Sequence, residues 1–142
     1  MTDNQITLTM SALSQNESLA RTTVAAFVAP LDPNISVLTD IKTAVSEAVT
    51  NAVIHGYKHK AGEIVLTMAL KDTTIYITVT DRGVGIPDIE KAMEPLYTTT
   101  TPEMERAGMG FTVMESFMDE VKVTSTPGNG TTVEMVKDLK NG

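Results

Sequence analysis

A row of polar side chains follows one face of a predicted helix in the segment "SEAVTNAVIHG", residues 46–56. Glu47, Asn51 and His55 recur at four-residue steps, and residues four apart lie on the same face of an α-helix. The buried stripe of this helix is predicted beside the row, through Ile41 and Val45, so the row lies at the edge of the core. It indicates either a ligand site with a carboxylate and an amide, or a partly solvated face with satisfied hydrogen bonds.

A second candidate group is the segment "DRGVG", residues 81–85, which follows a predicted strand. Asp81 continues the inward phase of Ile77 and Val79, so a carboxylate ends a row of core residues. An ionised carboxylate there needs a partner, which could be a ligand or backbone donors. Gly83 and Gly85 have no side chains, so the backbone can turn sharply and approach a ligand.

Two further patterns complete the candidate site. In "RAGMG", residues 106–110, Gly108 and Gly110 precede a helix predicted over residues 110–117, whose free N–H groups and dipole would suit a phosphate. In "GTT", residues 130–132, Thr131 is predicted on the inward face beside Asp81. Each pattern also occurs in ordinary turns and strands, and neither glycine pattern is the "GxxxxGK[ST]" phosphate loop. Together and in this order, they indicate a nucleotide site.

Two helices are predicted between the first strand and the candidate site. Residues 5–11 alternate apolar and polar and read as the first strand. Ser14 and Glu17 fit a capping box that opens a helix through about Val28. After a break at "LDPN", Ser36 or Thr39 is expected to cap a longer helix that ends near residue 56.

The remaining pattern predicts two hairpins separated by a long loop. "EIVLTMALK" and "TIYITVTD" alternate with period two around a polar "DTT" turn, and "EVKVTST" and "TTVEMVKDL" flank "PGNG", with Val121 and Val123 facing inward. Residues 82–109 are predicted as a long loop with a short helical piece around "DIEKAM". The chain is therefore expected to be one domain, 1–142, with an α+β two-layer sandwich: a mixed, mainly antiparallel sheet with helices on one face.

Bulk composition excludes several classes of function. The 142-residue chain has a formal net charge of -7, which argues against nucleic acid as the main ligand, because phosphate backbones are bound by clusters of Lys and Arg. It contains no Cys, so disulfides, thiolate metal sites and Cys nucleophiles are excluded. No signal peptide or long apolar run is apparent, so we expect a cytoplasmic protein without a membrane segment.

Taken in order, the four signals resemble the ATP-binding fold shared by gyrase, the heat-shock chaperone, histidine kinases and MutL, the GHKL family. Four longer segments resemble, within that family, the anti-sigma F factors of sporulating bacilli: "SALSQNESLARTTVAAFVAPLDP", "SEAVTNAVIHGY", "DRGVGIPDIEKAMEPLYTT" and "ERAGMGFTVMESFMDEV". The resemblance implies a homodimeric serine protein kinase that uses Mg-ATP and yields ADP. It also implies that the protein binds and inhibits a sporulation sigma factor of the F type and phosphorylates an anti-anti-sigma factor on serine.

The resemblance also implies roles for individual residues. Asn51 would bind the Mg2+ that bridges the phosphates, and Glu47 would be the catalytic base or would orient the attacking hydroxyl. Asp81 would accept a hydrogen bond from the adenine amino group, and Thr131 would support the adenine edge. The other implied nucleotide contacts are Gly83 and Gly85 at the base, Gly108 and Gly110 along the triphosphate, Arg106 at the γ-phosphate, and the lid threonines Thr98 and Thr99.

The lid departs from the family pattern. Where the family usually reads "TTKPELERSG", this chain reads "TTTTPEMERAG", with one extra residue and no Lys. Thr100 and Thr101 therefore have no assigned counterpart. His55 stays open between contact with the helix-end carbonyls and chemistry, and Arg21 between a contact for an acidic partner and an ordinary exposed arginine.

Two other functions stay open at the level of sequence. The first is the catalytic domain of a histidine kinase, although few residues precede the "SEAVTN" helix to form a dimerising hairpin with a phosphoacceptor histidine. The second is a nucleotide-dependent module that binds a sigma factor with little kinase activity. The altered lid favours that module, whereas Glu47 favours the kinase.

Overall fold

One five-stranded sheet and three main helices make up the part of the chain that the structure describes. The computed structural model describes residues 3–57, 61–83 and 102–140, with their side chains except those of residues 55, 56 and 102–109. The strands are β1 (Asn4–Ser11), β2 (Glu63–Lys71), β3 (Thr74–Asp81), β4 (Glu120–Thr126) and β5 (Gly130–Asp138). The helices are α1 (Asn16–Val28), α2 (Ile35–Asn51) and α3 (Pro102–Phe117), with a 3-10 turn at Ala29–Leu31 and a π-helical turn at Ala52–Gly56.

The sheet has the strand order β1-β2-β3-β5-β4, and each pairing between these strands is antiparallel. The two predicted hairpins are β2–β3 and β4–β5, so their prediction is confirmed. Along each strand alternate side chains turn towards the helices, and in β2 these are Ile64, Leu66, Met68 and Leu70. The predicted α+β two-layer fold is therefore confirmed, but the described sheet is antiparallel throughout and not mixed, because each described pairing joins strands that run in opposite directions.

Helix α2 lies at the centre of the helical layer and packs against both α1 and α3. Its buried residues recur at three- and four-residue steps, as expected for one apolar face: Val37, Ile41, Ala44, Val45, Ala48 and Val49. They join the inward side chains of the sheet in one hydrophobic core. This packing fixes the orientation of α2 and therefore of its polar row.

The capping box predicted for α1 is wrong. The residue before the helix is Gln15, and it makes no side-chain capping hydrogen bond. The Glu17 carboxylate instead accepts from the Ser46 hydroxyl and, at 3.5 Å, from the Thr50 hydroxyl of α2. The Glu17 side chain, which the local pattern assigned to a cap, therefore joins α1 to α2 instead. The predicted end at Val28 is confirmed.

The predicted cap of α2 is also wrong. Asn34 caps the helix, because its side-chain oxygen accepts from the Val37 N–H at 2.8 Å and its backbone is extended. Ser36 already lies within the helix. Asn is as good an N-cap as Ser and better than Thr, so the first available capping residue in "LDPN" sets the start.

Helix α3 begins at Pro102, eight residues before the predicted start. Pro is favoured in the first turn, where its missing N–H needs no partner. Packing against α2 then stabilises helix through Gly108 and Gly110 despite the low helix propensity of glycine. The predicted loop is thus wrong for residues 102–109, whereas the helical piece predicted at "DIEKAM" lies outside the described residues.

Lys137 connects the C-terminal end of α3 to the sheet. Its Nζ donates to the carbonyl oxygen of Phe117 at 2.7 Å and lies 3.7 Å from Asp40 Oδ2 on α2. A cation at a helix C-terminus satisfies an otherwise unpaired carbonyl and interacts favourably with the helix dipole. This buried lysine therefore holds α2, α3 and β5 together.

We expect Gly130→Ala to destabilise the fold strongly. Gly130 has a φ of 91°, and a Cβ there would meet the Asp81 carbonyl oxygen and lie 2.6 Å from Arg82 Cα. Backbone strain alone costs about 1–3 kcal/mol, and the overlap with backbone atoms adds to it. Gly128 is the matched control, because its φ is 85° but its Cβ would enter open space. Urea unfolding should show a larger loss for Gly130→Ala, and equal losses would contradict the close approach.

Candidate functional site

Glu47 and Asn51 meet Gly110 where α2 packs against α3. A Cβ added to Gly110 would lie 3.2 Å from Glu47 Oε2 and 3.0 Å from Asn51 Nδ2. Glycine therefore lets α3 pack closely against the carboxylate and the amide. The structure brings together these three of the predicted site residues, and the Glu47 and Asn51 side chains of the predicted polar row face α3.

The role predicted for the glycines of "RAGMG" needs correction. Gly108 and Gly110 were expected to precede a helix and to expose its first free N–H groups to a phosphate. They lie within α3, which begins at Pro102, so these N–H groups are not the first of the helix. What Gly110 supplies is the absence of a side chain beside Glu47 and Asn51.

The Glu47 carboxylate lies in surroundings that favour its protonated form. Partial burial raises its pKa, and the nearby Glu17 carboxylate raises it further. A pKa closer to the working pH is what a general base requires, because the group must accept a proton and later release it. The surroundings of Glu47 therefore shift its pKa in the direction that acid–base chemistry uses.

Asn51 has an unused buried polar atom. Its Nδ2 is buried and has no hydrogen-bond partner among the residues that the structure describes. The Nδ2 group is a hydrogen-bond donor, so it suits an acceptor such as a phosphate oxygen and not a cation. Carbonyl and carboxylate oxygens are what Mg2+ binds, so Asn51 Oδ1 and the adjacent Glu47 fit that ion chemically. Among the described residues, no group of three His, Cys, Asp or Glu side chains is placed to hold a metal ion.

Asp81 lies at the inward end of β3, as predicted, and is only 6% exposed. Its Oδ1 accepts the Gly83 N–H at 2.9 Å, and the carboxylate also accepts from the backbone of Thr131. Burial raises the pKa of Asp81, while these two backbone hydrogen bonds act in the opposite direction. A carboxylate has about four acceptor positions, so Asp81 retains capacity for a donor from a ligand.

Thr131 pairs directly with Asp81 across β3 and β5, which confirms its predicted place on the inward face. Its hydroxyl lies 2.9 Å from Ser125 Oγ, and Ser125 Oγ donates to the Gly130 carbonyl at 3.0 Å. A cavity of about 410 Å³ opens at this end of the sheet. Small-molecule sites have volumes of this order and carry a few fixed polar groups. Its lining includes Thr80, Asp81, Arg82, Ser125, Gly130 and Thr131.

Five of the predicted site residues lie wholly or partly outside the described part of the structure. Gly85, Thr98 and Thr99 belong to residues 84–101, which are not described. Arg106 and Gly108 lie in α3, in the stretch whose side chains are not described. Their roles remain predictions from the resemblance.

Sequence reasoning missed Ser125 and Tyr57. Ser125 reaches Thr131 across β4 and β5, and Tyr57 bonds to the backbone beside Asp81 through its hydroxyl. The hydroxyl of Ser125 points to the core side by the alternation of β4, which could have identified it. No local pattern marks Tyr57, since its partners are distant in sequence.

Comparison with known proteins places this architecture in a family. The model of the histidine kinase-like ATPase domain matches residues 10–137. Anti-sigma F factors of Bacillus licheniformis and Bacillus subtilis (strain 168) are each 55% identical to this chain, over 96% of it and 93% of the relative. The anti-sigma F factor of a Thermoanaerobacter species is 60% identical over 94% of the chain and 93% of the relative.

Solved structures agree with the fold. The crystal structure of the RsbU and RsbW domains of Rv1364c from Mycobacterium tuberculosis superposes with a TM-score of 0.68 at 25% identity, over 96% of this chain and 32% of that one. The catalytic domain of histidine kinase ThkA has a TM-score of 0.56 at 17% identity, over 98% of this chain and 97% of that one, and this likeness shows the fold alone. The chain therefore belongs to the family of histidine kinase-like ATPase domains and, within it, to the family of anti-sigma F factors.

Proposed function

We propose that this protein is an ATP-dependent serine protein kinase that also acts as an anti-sigma factor. It binds and inhibits a sporulation sigma factor of the F type, and it phosphorylates an anti-anti-sigma factor on serine. The observation that carries the proposal is the meeting of Glu47, Asn51 and Gly110 between two helices, together with a buried Asp81 beside a cavity. The names of the relatives support the sigma factor as a partner.

The cavity at the sheet end is the proposed site of adenine. The Asp81 carboxylate accepts a hydrogen bond from the exocyclic amine, while its bonds to Gly83 and Thr131 hold it in place. Guanine carries a carbonyl oxygen at that position, so two hydrogen-bond acceptors would face each other. Asp81 therefore selects ATP over GTP.

The contact of Glu47 and Asn51 with Gly110 of α3 marks the proposed site of phosphoryl transfer. Phosphoryl transfer needs positioning and charge neutralisation more than covalent chemistry by the protein. Glu47 orients the serine hydroxyl and accepts its proton, a role that its raised pKa supports. Asn51 would hold Mg2+, which would supply charge neutralisation for the phosphates. Gly85, Thr98, Thr99, Arg106 and Gly108 are proposed to complete the nucleotide contacts.

The whole chain, residues 1–142, is proposed to act as one cytoplasmic unit that pairs with a second copy. Among the described helices, none is sufficiently long and apolar to cross a membrane.

Arg21 on α1 is the proposed contact for an acidic surface of a partner. Its Nε lies 3.7 Å from Glu17, and the side chain remains 43% exposed. Because the Nε atom is buried, a partner carboxylate would bind the exposed part of the side chain and leave the pair with Glu17 in place.

A phosphorylation assay tests the proposal directly. The purified protein is incubated with labelled ATP, Mg2+ and its anti-anti-sigma protein, and the product is digested and analysed by mass spectrometry. We expect phosphoserine on the partner. In a parallel binding assay, the sigma factor should bind in the presence of ATP. A phosphohistidine in place of phosphoserine would indicate histidine kinase chemistry instead.

A second candidate function is a nucleotide-dependent sigma-binding module with little kinase activity. The stretch "TTTTPEMERAG" favours it, because the usual cation of this segment is missing. A protein of this kind would bind ATP and the sigma factor but leave the anti-anti-sigma protein unlabelled. The same assay therefore separates the two candidates.

We expect Asn51→Ala to remove most of the Mg2+ dependence of nucleotide binding. The substitution deletes the side-chain oxygen of Asn51 beside Gly110 and leaves the buried residues of α2 unchanged. Phosphoryl transfer should fall sharply as well. Calorimetric titrations of ATP with and without Mg2+ measure the effect. If the substitution left the magnesium dependence unchanged, another group would have to hold the ion.

A further inference from the structure

Tyr57 makes two strong hydrogen bonds through one hydroxyl. The phenol donates to the carbonyl oxygen of Glu63 at 2.6 Å and accepts from the N–H of Arg82 at 2.7 Å. Both distances are typical of good hydrogen bonds. One side chain therefore connects the first residue of β2 to the residue that follows β3.

These two backbone groups lie at the edge of the candidate adenine site. Ile64 pairs with Asp81 as the last register pair of β2 and β3, so the phenol bridges the two strands just beyond the point where the pairing ends. Arg82 separates Asp81 from Gly83, whose N–H donates to the Asp81 carboxylate. Holding the Arg82 amide thus fixes the turn that orients Asp81.

Tyr57 is held through both its backbone and its ring. The Tyr57 backbone N–H donates to the Ala52 carbonyl at 3.0 Å, which connects the residue to the π-helical turn at the end of α2. On the other side the ring lies against Gly62, where an added Cβ would overlap the ring atoms. Gly62 is in turn fixed, because its carbonyl accepts the Ala12 N–H at 2.8 Å. The phenol therefore has one well-defined position.

We infer that Tyr57 is a positioning residue for base recognition, which acts through its hydroxyl on the Asp81–Gly83 turn and holds that turn in a fixed relation to α2. The inference rests on the proposed nucleotide site. Helix α2 carries Glu47 and Asn51, and β3 ends in Asp81, so the two halves of the site come from different elements. Tyr57 follows the turn at the end of α2, and its hydroxyl bonds to Arg82 just after β3.

Tyr57→Phe is the test, because it removes the hydroxyl and keeps the ring against Gly62. We expect the KM for ATP to rise about tenfold, since two backbone groups lose their partner and the turn loosens. The preference for ATP over GTP should fall by a similar factor, because it depends on the orientation of Asp81. The kcat at saturating ATP should stay within about twofold, because the Glu47–Gly110 contact is untouched.

Tyr76→Phe is the matched control. Tyr76 lies in β3 but on the open face of the sheet, is 42% exposed, and has Lys71 Nζ 5.6 Å from its ring centre. We expect its KM and its ATP preference to equal those of the wild type. Gly62→Ala is the second variant: it keeps the hydroxyl but displaces the ring, so it should reproduce the loss of ATP preference. It decides the question if Tyr57→Phe does not fold.

The outcomes separate the inference from the proposed function. If the wild type binds ATP selectively while Tyr57→Phe changes only the melting temperature, the positioning role is overturned and the proposed function stands. If the wild type binds neither ATP nor GTP, both are overturned. A raised KM with reduced base preference in Tyr57→Phe, but not in Tyr76→Phe, supports the inference.

Discussion

Glu47→Gln is expected to transfer phosphate to the anti-anti-sigma partner at least about a hundredfold more slowly than the wild type, since general-base assistance is typically worth about 10²- to 10⁴-fold. Gln keeps the size and hydrogen-bonding reach of the side chain but cannot accept the serine proton. Binding of Mg-ATP and of the sigma factor should be nearly unchanged. A loss of kcat and kcat/KM together would identify an interaction made mainly in the transition state.

The structural alternative for Glu47 predicts a different pattern. If Glu47 only satisfied hydrogen bonds, Gln would lower the melting temperature and leave transfer per folded molecule largely intact. Because burial and Glu17 raise the pKa of Glu47, its ionised form is disfavoured in the fold, and a neutral Gln should not destabilise it through charge. Glu134→Gln, on the exposed face of β5, is the matched control. Single-turnover phosphorylation and thermal unfolding on the same preparations decide, and near wild-type transfer by Glu47→Gln would exclude the catalytic role.

Asp81→Asn is expected to weaken ATP binding severely. Asn has one acceptor oxygen where Asp has two, so its NH2 group would face the Gly83 N–H, the Thr131 N–H or the adenine amine, donor against donor. A buried polar group left unpaired costs about 1–3 kcal/mol, which corresponds to a roughly 5- to 150-fold loss of affinity. Asp72→Asn is the matched control, because Asp72 lies in the β2–β3 turn with a φ of 55°, a conformation that Asn tolerates. Calorimetry with ATP and GTP gives both affinities, and equal values for the wild type would exclude Asp81 as the selecting group.

The pH dependence of ATP binding is a second test of Asp81 as the acceptor for the adenine amine. Burial raises the pKa of Asp81 above the ordinary value of 3.8. The ionised carboxylate is the proposed acceptor for the amine, so affinity should be lost as pH falls through this raised pKa. If the acceptor were an exposed aspartate with an ordinary pKa, the affinity for ATP would fall only at lower pH. Asp81→Asn should lack the part of this loss that comes from Asp81, whereas Glu47, whose pKa is also raised, still titrates.

Local spacing was sufficient for much of the candidate site. Glu47 and Asn51 are four residues apart, and an α-helix places such residues on one face whatever surrounds it. Asp81 follows the inward phase of β3, and the period of two fixes its side as firmly as that of Val79. The inward face of Thr131 follows from the same rule. These features depend on backbone geometry, which the chain carries in its own sequence.

The sequence alone also determined the fold class and the order of the elements, because apolar periodicity distinguishes helix from strand and hairpins pair neighbours in the chain. Tertiary structure decided what depends on partners far along the chain. It assigned Glu17 to hydroxyls of α2 instead of a cap, extended α3 back to Pro102, and placed Gly110 against Glu47. It also placed the Tyr57 hydroxyl within hydrogen-bonding distance of the Arg82 N–H, 25 residues away in the sequence. Such contacts follow from how packed elements meet, and no local propensity encodes which side chain will lie at that meeting point.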